Sequence, residues 1–122
     1  MMGLSEHIRY HVYQGYADMS SGINGLSRIV SQRMGMSPIS GDAFVFFSKD
    51  RATVKILRWD TDGYLLHQKR LEKGTFELPF FKPGARSVTI PYDTLSAILK
   101  GISLRSLCHR VPASACSVIS KN

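Results

Sequence analysis

Cysteine is scarce in this chain: Cys108 and Cys116 are the only two among 122 residues. Seven residues lie between them, a spacing that fits neither a zinc-ligand pair nor a disulfide framework. Both are therefore expected to be free thiols in a reducing cytosol. Long apolar runs are missing as well, and nothing approaches the roughly 20 residues of a membrane span. The opening MMGLSEHIRYHVY lacks a basic start, an apolar core and a small-residue cleavage site, so no signal peptide is expected. Acidic residues are few, nine against sixteen Lys and Arg, which leaves a net charge of +7. Such a balance in a small protein points to an anionic partner, nucleic acid first and an acidic protein surface second.

A hydrophobic content of 43% fits an ordinary globular chain and argues against disorder. The length suits one domain with a single modest core. That domain is expected over 1–103. Beyond it the composition turns to Ser, Ala, Cys, Arg and Val without a period. The segment 104–122, with Arg105, His109, Arg110 and Lys121, reads as a poorly ordered basic tail.

Apolar and polar residues alternate from His7 to Gln14, with Ile8, Tyr10 and Val12 on one side, which predicts a first strand ended by Gly15. From about Ser20 to Met34 the residues Ile23, Leu26, Ile29, Val30 and Met34 form a helical stripe, with Asp18 placed to cap it and Gly35 to end it. Gly22 and Gly25, three apart, suggest close approach of another backbone. Ala43 to Phe47 is apolar throughout, as in a strand buried on both faces. Glu77 to Phe81 and Ser87 to Ile90 read as short strands. A second helix follows, with Ser87 or Thr89 as cap, Pro91 in its first turn, the stripe Leu95, Ile98, Leu99 and Ile102, and Gly101 at its end.

The stretch from Thr53 to Pro79, TVKILRWDTDGYLLHQKRLEKGTFELP, organises the rest. Two β-rich runs flank Asp60-Thr61-Asp62-Gly63, the pattern of an antiparallel hairpin. Closing over Thr61-Asp62 sets Trp59 opposite Tyr64, whereas closing over Asp62-Gly63 sets Trp59 opposite Leu66. Either way one face carries Thr53, Lys55, Leu57, Trp59, Tyr64, Leu66, Gln68 and Arg70. The other carries Val54, Ile56, Arg58, Leu65, His67 and Lys69. The expected fold is α+β: a mainly antiparallel sheet of four to five strands packed with two helices, both docked on one face.

The runs KILRWDTDGY and KRLEKGTFELP resemble the short accessory protein, often called TnpB or the second open reading frame, encoded beside the transposase in insertion sequences of the sixty-six family. It is unrelated to the RNA-guided nuclease that shares the label. Asp18-Met19-Ser20-Ser21-Gly22-Ile23-Asn24-Gly25-Leu26 is similar to the family's Asp-Met-Arg-x-Gly-x-x-x-Leu element, with Ser20 where the family has Arg. Asp60, Gly63, Leu71, Glu72, Gly74 and Phe76 complete the motif positions, and the resemblance runs from about Ile8 to Ile102. It implies a non-catalytic accessory factor for transposition, working with the transposase and a third small element-encoded protein. Such a factor is expected in the bacterial cytoplasm, on the nucleoid if it binds DNA.

Transposases hold two metal ions with three carboxylates. Here Asp18 reads as a cap, Asp60 and Asp62 as turn residues, and Asp93 as first-turn helix. Glu72 sits among Lys69, Arg70 and Lys73, where an ion pair is expected. His7, His11, His67 and His109 have no ligand spacing except His7/His11, which lie in a predicted strand. No metal, no cofactor and no enzyme activity are expected. The candidate nucleic-acid contacts are Lys55, Arg58, Lys69, Arg70 and Lys73, with Trp59 and Tyr64 as stacking rings. The competing reading makes the rings core and the cations edge protection. The alternative function is an adaptor that binds only the transposase.

Overall fold

The computed structural model describes residues 4–101. It orders the elements as β1 (Tyr10–Tyr16), α1 (Ile23–Gln32), β2 (Ala43–Phe47), β3 (Thr53–Asp60), β4 (Gly63–Arg70), β5 (Ser87–Ile90) and α2 (Tyr92–Lys100). The strands form one sheet in the order β4-β3-β2-β1-β5. All neighbours are antiparallel except β1 and β2, which run parallel because α1 carries the chain across between them. The α+β class holds, with five strands in a mixed sheet. Ile102, the cysteines and the tail lie outside the described residues.

Every residue of β2 is buried. Its side chains alternate, so Ala43, Val45 and Phe47 enter one apolar cluster while Phe44 and Phe46 enter another. The first cluster takes Leu95, Ala97, Ile98 and Leu99 of α2; the second takes Leu26 and Val30 of α1. The helices therefore cover opposite faces of the sheet. That corrects the expectation of one shared face, since a strand apolar on both sides needs a lid on each.

Several local expectations are also corrected. β1 starts at Tyr10 and runs through Gly15 to Tyr16, because Gly15 takes a φ of 146° that lets the strand bulge and continue. Gly22, not Asp18, is the N-cap of α1, without a side-chain cap. The Asp18 carboxylate instead accepts the Ser20 N–H at 2.9 Å, ordering the turn before the helix. No backbone crowds the glycines: a Cβ on Gly22 would meet nothing within 4 Å, and one on Gly25 only the Ser21 side chain. Residues 77–81 are not a strand. Pro91, rather than Ser87 or Thr89, is the N-cap of α2, and Asp93 lies in its first turn. Gly101 ends α2 in the left-handed conformation, as expected.

The hairpin closes over Thr61-Asp62, with Trp59 opposite Tyr64 and Leu57 opposite Leu66. Thr61 takes a φ of 55°, the left-handed value this two-residue turn demands.

Leu26 and Ile98 are both fully buried, one in each cluster. Each change to Ala should cost about 2–5 kcal/mol. Because the sheet separates the two sites, the double variant should lose the sum to within about 0.5 kcal/mol. Urea denaturation of the three variants measures this, and a coupling well above that value would mean the clusters share one core.

Candidate nucleic-acid interface

The β3–β4 hairpin gathers the basic residues, but alternation sends them to different places. Lys55 points to the α1 face and is only 6% exposed. Its ammonium donates to the Met19 carbonyl at 2.8 Å and the Ser21 carbonyl at 3.0 Å. This removes Lys55 from the candidate phosphate contacts, because both hydrogen bonds tie down the segment leading into α1. Lys69 points to the other face and donates to the Leu99 carbonyl at 2.6 Å. A cation there suits the negative C-terminal end of α2. Lys69 remains exposed at the residue level.

Arg58 shares the Lys69 face, with its side chain only 14% exposed and its Nη1 3.9 Å from the Asp60 carboxylate. Its Nε is buried without a partner, as is Nε2 of His67 on the same face. Burial pushes the His67 imidazole below its ordinary 6.5, and the positive charge of Arg58 adds to the effect. Trp59 and Tyr64 form an edge-to-face pair with centroids 5.0 Å apart, both half-buried, and Tyr64 packs on the α1-side cluster. Arg70 and Lys73 are exposed at the hairpin exit. Glu72 between them is exposed too and forms no ion pair among the described residues, contrary to expectation.

The motif residues do structural work. Leu26 is core, and the Met19 side chain packs beside it. Asp60 and Gly63 are the paired residues that frame the hairpin turn. Leu71 donates its N–H to the Ala52 carbonyl, and Phe76 donates to that of Arg51, folding the exit back under the sheet. The buried Phe76 ring lies 5.8 Å from Phe47. Gly74 takes a φ of 82° in the bend between them.

Sequence reasoning missed two features. His11 is buried on β1, its Nδ1 2.8 Å from the Thr89 hydroxyl and its Nε2 2.8 Å from the Asp42 carboxylate. This links β1, β5 and the approach to β2. Alternation put His11 on a side chain face, yet nothing local signals partners 31 and 78 residues away. The second feature is a pair of clefts where β1 and β2 end. Among the described residues no three His, Cys, Asp or Glu are placed to hold a metal, and no helix is long and apolar enough to cross a membrane.

The family model described as "IS66 Orf2 like protein" matches residues 8–109. Two Sinorhizobium fredii proteins are similar to the chain. The uncharacterized protein y4hO is 30% identical over 105 residues, spanning 86% of this chain and 90% of that protein. The uncharacterized protein y4jC is 36% identical over 85 residues, spanning 70% and 73%. No solved structure matches the chain.

Two outcomes follow from the buried polar groups. Lys55→Met keeps the aliphatic stem but strands two carbonyls, and should cost about 1–3 kcal/mol in urea denaturation. An unchanged stability would show that the ammonium does not anchor the segment before α1. His67 stays neutral in the fold to a lower pH than in the unfolded chain. Its contribution is thus intact above 6.5 and is lost as pH falls through the depressed folded value. His67→Gln should flatten the fall in melting temperature between about pH 7 and 5. The same slope in variant and parent would remove His67 as its source.

Proposed function

Because this chain belongs to the IS66 Orf2-like family, we propose that it is a non-catalytic accessory factor for transposition of an insertion sequence, holding element DNA beside the transposase. Its partners on this reading are the transposase, a third small protein of the same element, and the DNA itself. The observation that carries the DNA contact is the hairpin exit. There Arg70 and Lys73 project into solvent with no ion pair among the described residues, on a chain of net charge +7. Unpaired cations at a surface neutralise phosphates and release condensed counterions. Lys69, exposed as a residue, lies beside them and adds its charge to the local field while it holds α2.

A second reading has its own support. β4 is an eight-residue edge strand, regular from Gly63 to Arg70, with Leu65 and Leu66 both more than a third exposed. Such an edge favours addition of a strand from a protein partner, as the transposase adaptor requires.

Substituting Arg70→Glu and Lys73→Glu together discriminates the readings when DNA binding and transposase pull-down are scored separately. Each lost phosphate contact should make the slope of log K against log salt shallower by about 0.9 for duplex DNA, so about 2 for the pair. Unaltered DNA binding with loss of pull-down would replace the DNA reading with the adaptor.

A further inference from the structure

We propose that the crevice at the carboxyl ends of β1 and β2 receives an unpaired nucleobase of single-stranded nucleic acid. This rests on the DNA-contact reading above and adds to it a second, base-binding element away from the hairpin exit.

β1 and β2 are parallel neighbours inside the sheet, so their carboxyl ends open at the same end of it, where ligand crevices of parallel strands form. Their pairing is irregular there. Val12 faces Val45, but the next pair is Tyr16 with Phe47, so β1 carries extra residues that bulge out at Gln14 and Gly15. The bulge opens a cleft of ≈ 390 Å³ walled by Tyr13, Tyr16, Phe47, Leu78 and Phe81. With Gln14 and Gly15 these make seven lining residues, four of them rings. Tyr13 and Phe47 are buried in the core, and Tyr16 and Phe81 are the rings open to a ligand. Gly15 keeps the Tyr13 ring in place: a Cβ on it would lie 2.9 Å from that ring. Tyr16 is 55% exposed, an aromatic face left open at the mouth.

Basic residues flank the cleft walls along the chain. Lys49 and Arg51 lie on the turn after β2, and Lys82 and Arg86 on the segment before β5. All four are exposed and none forms an ion pair among the described residues. The Arg86 main chain pairs with the bulge, its carbonyl accepting the Gln14 N–H at 2.9 Å, while its guanidinium reaches toward Gly35 after α1, 3.6 Å from where a Cβ there would stand. Of the carboxylates near these turns, Asp18 and Asp50 are engaged with the chain itself, while Glu77 is exposed next to Leu78. Asp18 accepts the Ser20 N–H, and Asp50 accepts the Ser48 hydroxyl and the Ala52 N–H. These bonds hold both carboxyls below their ordinary range. A second cleft of ≈ 580 Å³ starts one residue further along both strands, at Ala17 and Ser48. Rings that stack a base, flanked by cations for the phosphates on either side, are the chemistry of a single-strand site.

The test is fluorescence anisotropy with a labelled oligothymidylate of about twelve nucleotides, an abasic oligomer of equal length and a duplex. The parent should bind oligothymidylate about tenfold more tightly than the abasic oligomer, as expected for one stacked base. Tyr16→Ala, at an exposed position, should erase that preference while leaving melting temperature and duplex binding unchanged. Phe81→Leu, which keeps apolar volume but removes a ring, should weaken it. Retention of the preference in the Arg70→Glu, Lys73→Glu double variant, with duplex binding lost, would establish the crevice as a separate site. Equal affinity for thymidylate and abasic oligomers, with duplex binding intact, would overturn the crevice and leave the hairpin reading standing. Loss of transposase pull-down in Tyr16→Ala, without any base preference in the parent, would also overturn it and make the occupant a protein side chain.

Discussion

An extended strand shows its side chains alternately to two sides, and in this protein the central strand is apolar at every position. Ala43 to Phe47 therefore cannot rest with one face in water, and both faces must be covered by something apolar. The topology follows from that demand. α1, lying between β1 and β2, has to cross one face and so makes the two strands parallel. α2, arriving after β5, closes the other. The hairpin β3–β4 extends the sheet on one side and β5 on the other. Toward β4 the covering thins, and burial falls from complete at Val54 to Leu57 to mostly exposed at the hairpin exit.

The same alternation decides what the hairpin lysines do. Lys55 and Lys69 sit on opposite faces; Lys69 reaches a carbonyl in the last turn of α2, and Lys55 reaches two carbonyls in the segment that leads into α1. They act as struts between sheet and helices, one before α1 and one at the end of α2. A buried ammonium is tolerable only with such acceptors, and carbonyls that have no helical partner need donors. The basic character of the hairpin is thus partly structural, and the cations free to meet a polyanion lie at its exit and on the turns beyond.

Much of this was legible in the amino-acid pattern, because period and turn chemistry are local. The β2 burial, the α1 stripe, the Asp/Gly turn and the Gly101 stop all follow from neighbours within a few residues. Two hairpin closures fit the pattern, and the chain takes the one over Thr61-Asp62 although it sets a β-branched residue at a φ of 55°. The side taken by each helix departs from the expected shared face, because a strand buried on both faces requires one helix on each. The Glu77 to Phe81 run failed as a strand because Phe76 and Leu71 bond back to the β2–β3 turn and hold this segment under the sheet. For the candidate site, residue type identified cations and rings but not their direction. That is set by contacts such as Lys55 to Met19, 36 residues away. The crevice was invisible because a bulge at Gly15 read as the end of a strand.

What gives the surface its sign is less the number of basic residues than the use made of the acidic ones. Asp18 and Asp50 bind backbone N–H groups of their own turns. Asp42 lies on His11, and Asp93 sits in the first turn of α2. Among the described residues the two Arg–Asp contacts, Arg9 to Asp42 and Arg58 to Asp60, are both 3.9 Å, too long for a hydrogen bond. Carboxylates held by the fold cannot turn to quench neighbouring cations, which leaves Lys49, Arg51, Lys82 and Arg86 charged at the surface, whereas at the hairpin exit the exposed Glu72 offsets part of the charge of Arg70 and Lys73. Fields of that kind are screened within about 8 Å at physiological salt. Any polyanion held by them must lie against the protein and be released steeply as salt rises.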